Sequence, residues 1–348
     1  MTRFQRFLLG SLCGAVFSIM AAPSPCAAKG DTLAAVKARG ALNCSGRSSS
    51  YLGLAEVDDK GNWKGLDIDL CRAVATAVFG NWEGHLNIIP ISWEQRWPLL
   101  QSGELDVVIM SSDWTASRDA GLGLQFSNPY VFASQNVMVR RDSGIKSMKD
   151  LNGGSVCVPA GTSTERTLAD FLNGKGIKME FVVSDNAEQS QAAYLSGRCD
   201  AYAEWDVQLA VLRMKATHPD DHVVLADAFA ANPTSMVVRE GDDRWLDIVN
   251  FTLSTLLTAE EAGVNRDNVD KIRANPPSPR IAKMLGVTPG YGTRLGLSDN
   301  FGYDIIKRVG NYSDIWERDL GQQSPYKLKR GLNALWQDGG VLWSILMD

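Results

Sequence analysis

Histidine is scarce in this chain of 348 residues, with only His85, His218 and His222 present. Divalent-metal chemistry wants several convergent ligands, and the one local cluster, His218-Pro219-Asp220-Asp221-His222, has the composition of a surface turn. Beyond the first residues no apolar run approaches the roughly 20 residues that span a bilayer. There is no dense lysine or arginine stripe, and the charge balance is mildly acidic, so a nucleic-acid partner has no support. A nucleophile elbow, a P-loop and a dinucleotide glycine pattern are all missing. No cofactor is therefore expected. Internal repeats and low-complexity tracts are absent as well.

What is present begins with an export signature. Arg3 and Arg6 give a basic start, the apolar run Phe7 to Ala22 follows, and small residues end at Cys26-Ala27-Ala28. This order predicts a signal peptide over residues 1–28, cut after Ala28. The run is short and broken by Gly10, Ser11 and Gly14, which argues against a membrane anchor; no Leu-x-x-Cys lipobox precedes Cys26. Loss of Arg3 and Arg6 leaves 33 basic against 40 acidic residues, a net charge of −7 on the mature chain. Four cysteines remain, Cys44, Cys71, Cys157 and Cys199. An even number in an exported protein favours two disulfides, with three connectivities open. Sequence order suggests Cys44–Cys71 and Cys157–Cys199, free buried thiols being the alternative.

Strands alternate with helical patterns, which predicts parallel α/β architecture in more than one compact unit. Leu42-Asn43-Cys44 reads as a strand entering the Gly46-Arg47-Ser48 loop. Leu70, Ala73, Val74, Ala77 and Val78 share a helical face; Asn87 to Ile91 and Leu105 to Ile109 read as strands. A second α/β unit starts near Gln135 to Val139 and includes Ser155 to Val158, the helix from about Thr164, Met179 to Val183 and Asp200 to Ala203. Met236 to Arg239 returns as a strand, and the last third is mostly helical. The stretch after Ile109, from Ser111 to Arg118, suits a small zwitterion: hydroxyl and backbone groups for an ammonium, a guanidinium fork for a carboxylate.

The chain resembles the exported solute-binding proteins of bacterial polar amino-acid ABC transporters, most nearly the general L-amino-acid-binding branch. Gly61-Asn62-Trp63-Lys64-Gly65-Leu66-Asp67-Ile68-Asp69, Trp114-Thr115-Ala116-Ser117-Arg118-Asp119, Gly161-Thr162-Ser163-Thr164-Glu165 and Gly197-Arg198-Cys199-Asp200 carry the resemblance. So do Val309-Gly310-Asn311-Tyr312 and Arg330-Gly331-Leu332-Asn333-Ala334-Leu335-Trp336. It implies a two-lobed periplasmic-binding-protein fold of type II, with lobe one at 31–130 plus 235–348 and lobe two at 131–234. The hinges would lie near Asn128-Pro129-Tyr130 and Ala231-Asn232-Pro233. Implied partners are an amino acid or related carboxylate and an inner-membrane ABC permease with its ATPase, the protein acting as a periplasmic monomer rather than an enzyme.

Carried over residue by residue, the resemblance gives Arg118 the ligand carboxylate, with Gly161, Thr162 and Ser163 as the helix N-terminal loop meeting the same group. Ser111 would touch the ammonium, Tyr51 would stack on the ligand and Trp93 would form a wall. Two positions depart from the family pattern. Asp113 stands where relatives commonly carry Ser or Thr, and Trp205 stands where the ammonium-binding Asp belongs. A buried ammonium without an acid is costly, so Asp113, Glu204 or Asp206 is expected to replace it. Strand alternation turns Glu204 and Asp206 away from Trp205, which favours Asp113. If Tyr51, Trp93, Trp114 and Trp205 share one cleft, their faces would suit an aromatic ligand or a quaternary amine. The rival readings are a dehydratase- or hydrolase-like enzyme using paired carboxylates and an accessory sensor on the same fold.

Overall fold

The protein was analysed as a computed structural model that describes residues 31–347; the expected signal peptide and its cleavage site lie outside the described residues. The chain opens with helix α1 (Thr32–Arg39), then strand β1 (Leu42–Arg47), the small hairpin β2 (Glu56–Val57) and β3 (Trp63–Lys64), and helix α2 (Leu66–Phe79). Strand β4 (Leu86–Ile91), helix α3 (Arg96–Ser102), strand β5 (Val108–Asp113) and helix α4 (Ala116–Gly121) complete the first α/β unit. β1 and β4 pair in parallel, and Cys44 bridges to Val107 ahead of β5. The apolar face of α2 packs into one large core with Val36, Leu42 and Ile305.

Next comes the 17-residue strand β6 (Leu124–Arg140), which leads to β7 (Ser155–Pro159), α5 (Ser163–Lys175), β8 (Glu180–Ser184), α6 (Ala187–Leu195), β9 (Ala201–Trp205) and α7 (Asp206–Lys215). After the short β10 (His222–Val224), strand β11 (Ala230–Arg239) runs back antiparallel to β6. The sheet order is β5-β11-β6-β9-β7-β8, with β10 also on β6. β6 and β11, paired with each other, therefore serve both halves: the later part of β11 pairs with β5, and the later part of β6 pairs with β9. Their pairing slips around Tyr130, which is skipped between Val131↔Thr234 and Pro129↔Ser235. Helix α8 (Asp243–Glu261) packs on α2, and α9 (Val269–Ala274), α10 (Pro279–Met284), α11 (Tyr291–Leu295), α12 (Phe301–Arg308) and α13 (Tyr312–Asp319) form a helical extension on the first unit.

The architecture is the two-lobed α/β arrangement expected. Both disulfides form as sequence order suggested: Cys44–Cys71 ties β1 to α2, and Cys157–Cys199 ties β7 to the start of β9. Two local differences matter for the site. Strand β5 does not end at Ile109 but continues through Asp113, because Ser112 and Asp113 pair with Ser235 and Thr234 of β11. Gln135 to Val139 does not begin a new strand; it is the distal half of β6.

Candidate functional site

Between the two halves lies a cleft with a free volume of about 150 Å³, walled by Arg47, Tyr51, Trp93, Ser111 and Asp113 on one side. Thr162, Ser163, Glu204 and Trp205 form the opposite wall. A cavity of this size holds a guest on the order of benzene, so a larger cargo requires the lobes to part. The halves touch directly. Trp93 Nε1 donates to the Gly161 carbonyl at 3.3 Å, and Gln208 Nε2 on α7 donates to the Leu52 carbonyl at 2.8 Å.

On the first wall Ser111 is buried with φ +52°, a left-handed kink inside β5. Its hydroxyl donates to Asp67 at 2.7 Å, and its N–H donates to the Tyr130 hydroxyl, which in turn donates to Asp67. The serine hydroxyl is thus committed, leaving the carbonyl as its route to a ligand. Arg118, in the first turn of α4, is buried behind this wall. Its Nη1 donates to the Asp113 carbonyl at 2.8 Å, while Nη2 is buried with no partner among the described residues. Burial lowers its pKa to about 10, partly offset by Asp113.

Asp113 is heavily engaged. Its carboxylate accepts from Ser163 on the far lobe, from Asn232 at 3.0 Å, and from Gln135 and Thr234 at 3.4 Å. Burial raises its pKa above the ordinary carboxylate range despite these donors and Arg118. With four donors on two oxygens, the carboxylate joins the lobes to each other, and an ammonium would have to displace them.

The second wall is the N-terminus of α5. Thr162 caps it, accepting from the Glu165 N–H at 3.1 Å and donating to the Pro159 carbonyl. Gly161, at φ +67°, donates its N–H to Glu165 and does not line the cleft. The first-turn N–H groups of a helix lack intrahelical acceptors, so Ser163 and Thr164 present their donors where α5 meets the cleft. Glu204 and Trp205 both line it, contrary to the alternation argument. β9 ends at Trp205 and the chain turns at once into α7, so the period of two no longer holds there. Glu204 accepts from the Trp205 N–H at 2.9 Å and from the Tyr202 hydroxyl at 3.3 Å, and burial raises its pKa. Asp206 accepts from Ser134 and does not line the cleft.

Sequence reasoning missed Arg47 and Arg96. The Arg47 guanidinium lies 4.0 Å from the Tyr51 ring centre and 5.2 Å from that of Trp93. Arg96 follows, 3.7 Å from Trp93 and 4.3 Å from Trp97, and Arg118 closes the series 5.7 Å from Trp97. Cations and rings alternate along this wall, a favourable quadrupole arrangement. None of the three arginines has a carboxylate within ion-pair distance among the described residues. Desolvation and the neighbouring Arg118 and Arg47 push the Arg96 pKa down to about 8. The faces of Tyr51 and Trp93 expected to greet a quaternary amine are therefore already taken. Trp114 is outside the cleft: it is 40% exposed, stacks on Phe126 and donates to Asp119. The available signal for Arg47 was its place in a serine-rich loop after a strand, the same context as Arg118.

Two α/β lobes joined by paired crossing strands, with polar groups from both facing one cleft, define a solute-capturing protein of the periplasmic-binding type. The chain belongs to the bacterial extracellular solute-binding proteins, family 3, which matches residues 46–263. It is 40% identical to the general L-amino acid-binding periplasmic protein AapJ of Rhizobium johnstonii, over 96% of this chain and 97% of the relative. Identity is 36% to the glutamate/glutamine/aspartate/asparagine-binding protein BztA of Rhodobacter capsulatus, over 91% and 94%. Among solved structures, a Brucella ovis ABC transporter periplasmic binding protein with glutathione bound superposes with a TM-score of 0.87 at 41% identity. That match covers 92% of this chain and all of that one. The family consists of binding proteins, and nothing in these relatives favours the enzyme reading.

Proposed function

We propose that this chain, exported to the periplasm after cleavage near Ala28, captures an amino-acid-like solute with two carboxylates and delivers it as a monomer to an ABC permease. The observation that carries the reading is the series of three arginines, Arg47 lining the cleft with Arg96 and Arg118 behind it, none with a carboxylate within ion-pair distance among the described residues. Arg118 has a buried Nη2 with no partner among the described residues, and takes the α-carboxylate together with the donors at the start of α5. Arg47, at the cleft end of the series, takes the second carboxylate. Glu204 is the favoured ammonium partner, with the Ser111 carbonyl, because the Asp113 carboxylate is filled by four donors. Tyr51, Trp93 and Trp205 provide the apolar packing.

The names of two relatives include ligands of this class: one binds glutamate and aspartate as well as glutamine and asparagine, and another was solved with glutathione, a γ-glutamyl peptide. Lobe one comprises about 31–130 plus 235–348 and lobe two 131–234. A ligand bridging the walls stabilises the closed form selectively, and the permease reads that form. Calorimetry on refolded, ligand-stripped protein tests the assignment with L-glutamate, glutathione, L-glutamine and glycine betaine. Tight binding of the first two and weaker binding of L-glutamine is expected; equal binding of glutamate and glutamine would remove the role given to Arg47.

A further inference from the structure

The family match ends at residue 263, yet the segments Asn311-Tyr312 and Arg330 to Trp336 stood out in the sequence and take no part in the cleft. Both converge on one of the crossing strands. The Tyr312 hydroxyl donates to the Tyr130 carbonyl at 2.6 Å. Asn333, buried at 4% exposure, makes a two-point contact with the backbone of Phe132: its Oδ1 accepts from the Phe132 N–H at 2.7 Å and its Nδ2 donates to the Phe132 carbonyl at 3.0 Å.

The topology explains why Phe132 needs such a partner. Across the strand pair it stands opposite Pro233, which has no N–H and whose carbonyl accepts from Trp114 on the far side of β11. The amide groups of Phe132 therefore face the other edge of β6. There β9 pairs only from Gln135 onward, ending at Trp205. Asn333 occupies the vacated edge position, supplying with one side chain the donor and acceptor that a neighbouring strand would supply. The backbone of Asn333 is itself held: Arg330 Nε donates to the Asn333 main-chain carbonyl at 2.7 Å, and Arg330 pairs with Glu260 on α8 while lying over Tyr312 and Trp316.

We propose that the C-terminal extension is a hinge clamp, in which Asn333 and Tyr312 bind β6 to lobe one as far as Phe132 and confine its bending to Ala133 and Ser134. Phe132 travels with the first lobe and Gln135, paired with Trp205, with the second. This moves the pivot of β6 a few residues beyond the Asn128-Pro129-Tyr130 position that the family resemblance implied. Asn333 is a positioning residue: it touches no ligand and acts through the backbone it holds.

Asn333→Ala lengthens the free stretch to 131–134, so the ligand-free protein is expected to open more widely. Small-angle scattering should show a larger radius of gyration, and the Phe132 amide should exchange about tenfold faster or more. The closed population then falls, and the apparent Kd for L-glutamate rises about three- to tenfold, while the ratio of glutamate to glutamine affinity stays unchanged. Tyr312→Phe, which loses one hydroxyl and little volume, should move the same readouts in the same direction by less, and it serves if Asn333→Ala does not fold. A lower Tm with unchanged scattering, exchange and Kd would overturn the proposal. The affinity arm rests on the proposed cargo, but the scattering and exchange arms need no ligand and stand even if L-glutamate fails to bind.

Discussion

The two walls of the cleft recognise charge by different means. The first lobe offers formal charge, with guanidiniums held against aromatic rings and, among the described residues, no carboxylate within ion-pair distance. The second offers partial charge, the N-terminal dipole of α5 with its cap, and a single buried acid, Glu204. Formal charges attract a solute at a distance, whereas helix-end donors work only at contact. Capture by the first lobe followed by closure of the second follows from that asymmetry.

The contrast can be broken one residue at a time. Arg118→Met should have the largest effect, raising the Kd for L-glutamate roughly 30- to 1,000-fold in calorimetry, in line with about 2–4 kcal/mol for truncating one partner of a buried charge pair. Arg47→Met should cost about 10- to 100-fold for L-glutamate and far less for L-glutamine; equal losses for both would dissociate Arg47 from the second carboxylate.

Glu204→Gln tests the buried acid of the second wall through pH. Burial raises the Glu204 pKa in the folded protein above its ordinary value of 4.5. Over the interval between these two values the native state binds more protons than the unfolded one, so stability falls as pH rises. Urea denaturation of the ligand-free protein from pH 4.5 to 8 should show that decline in the wild type and a shallower one in the variant. The smallest change is expected from Thr162→Ala, which removes the cap of α5 and should lower stability by about 1 kcal/mol. A larger fall in glutamate affinity than in stability would place the Thr162 hydroxyl on the ligand.

Much of the fold was legible because it depends on local pattern. The α2 face, the β7 strand entering α5, and the four cysteines were readable from periodicity, turn chemistry and count. The errors share one cause, the influence of partners distant in sequence. β5 runs on through Ser112 and Asp113 because β11, over 100 residues later, pairs with them. Alternation failed at Glu204 because the strand ends where the helix begins. Arg118, Ser163 and Trp205 were found through the family resemblance, and their surroundings place them at or behind the cleft. Arg47 escaped because one of its rings, Trp93, is distant in sequence, and Arg96 because an arginine near a tryptophan in sequence says nothing of the rings stacked on either side. Trp114 was misjudged for the opposite reason, its neighbour in the motif being close in sequence but not in orientation.

The long strand β6 has a consequence for how the molecule melts. At about 3.3 Å per residue its 17 residues extend roughly 55 Å, and with β11 it supplies hydrogen-bonding edges to both lobes. Neither lobe can lose its sheet without stripping a neighbour from the other. Calorimetry of the ligand-free protein should accordingly record one cooperative endotherm, with its van't Hoff enthalpy close to the calorimetric value, although the chain is large enough for two independent units.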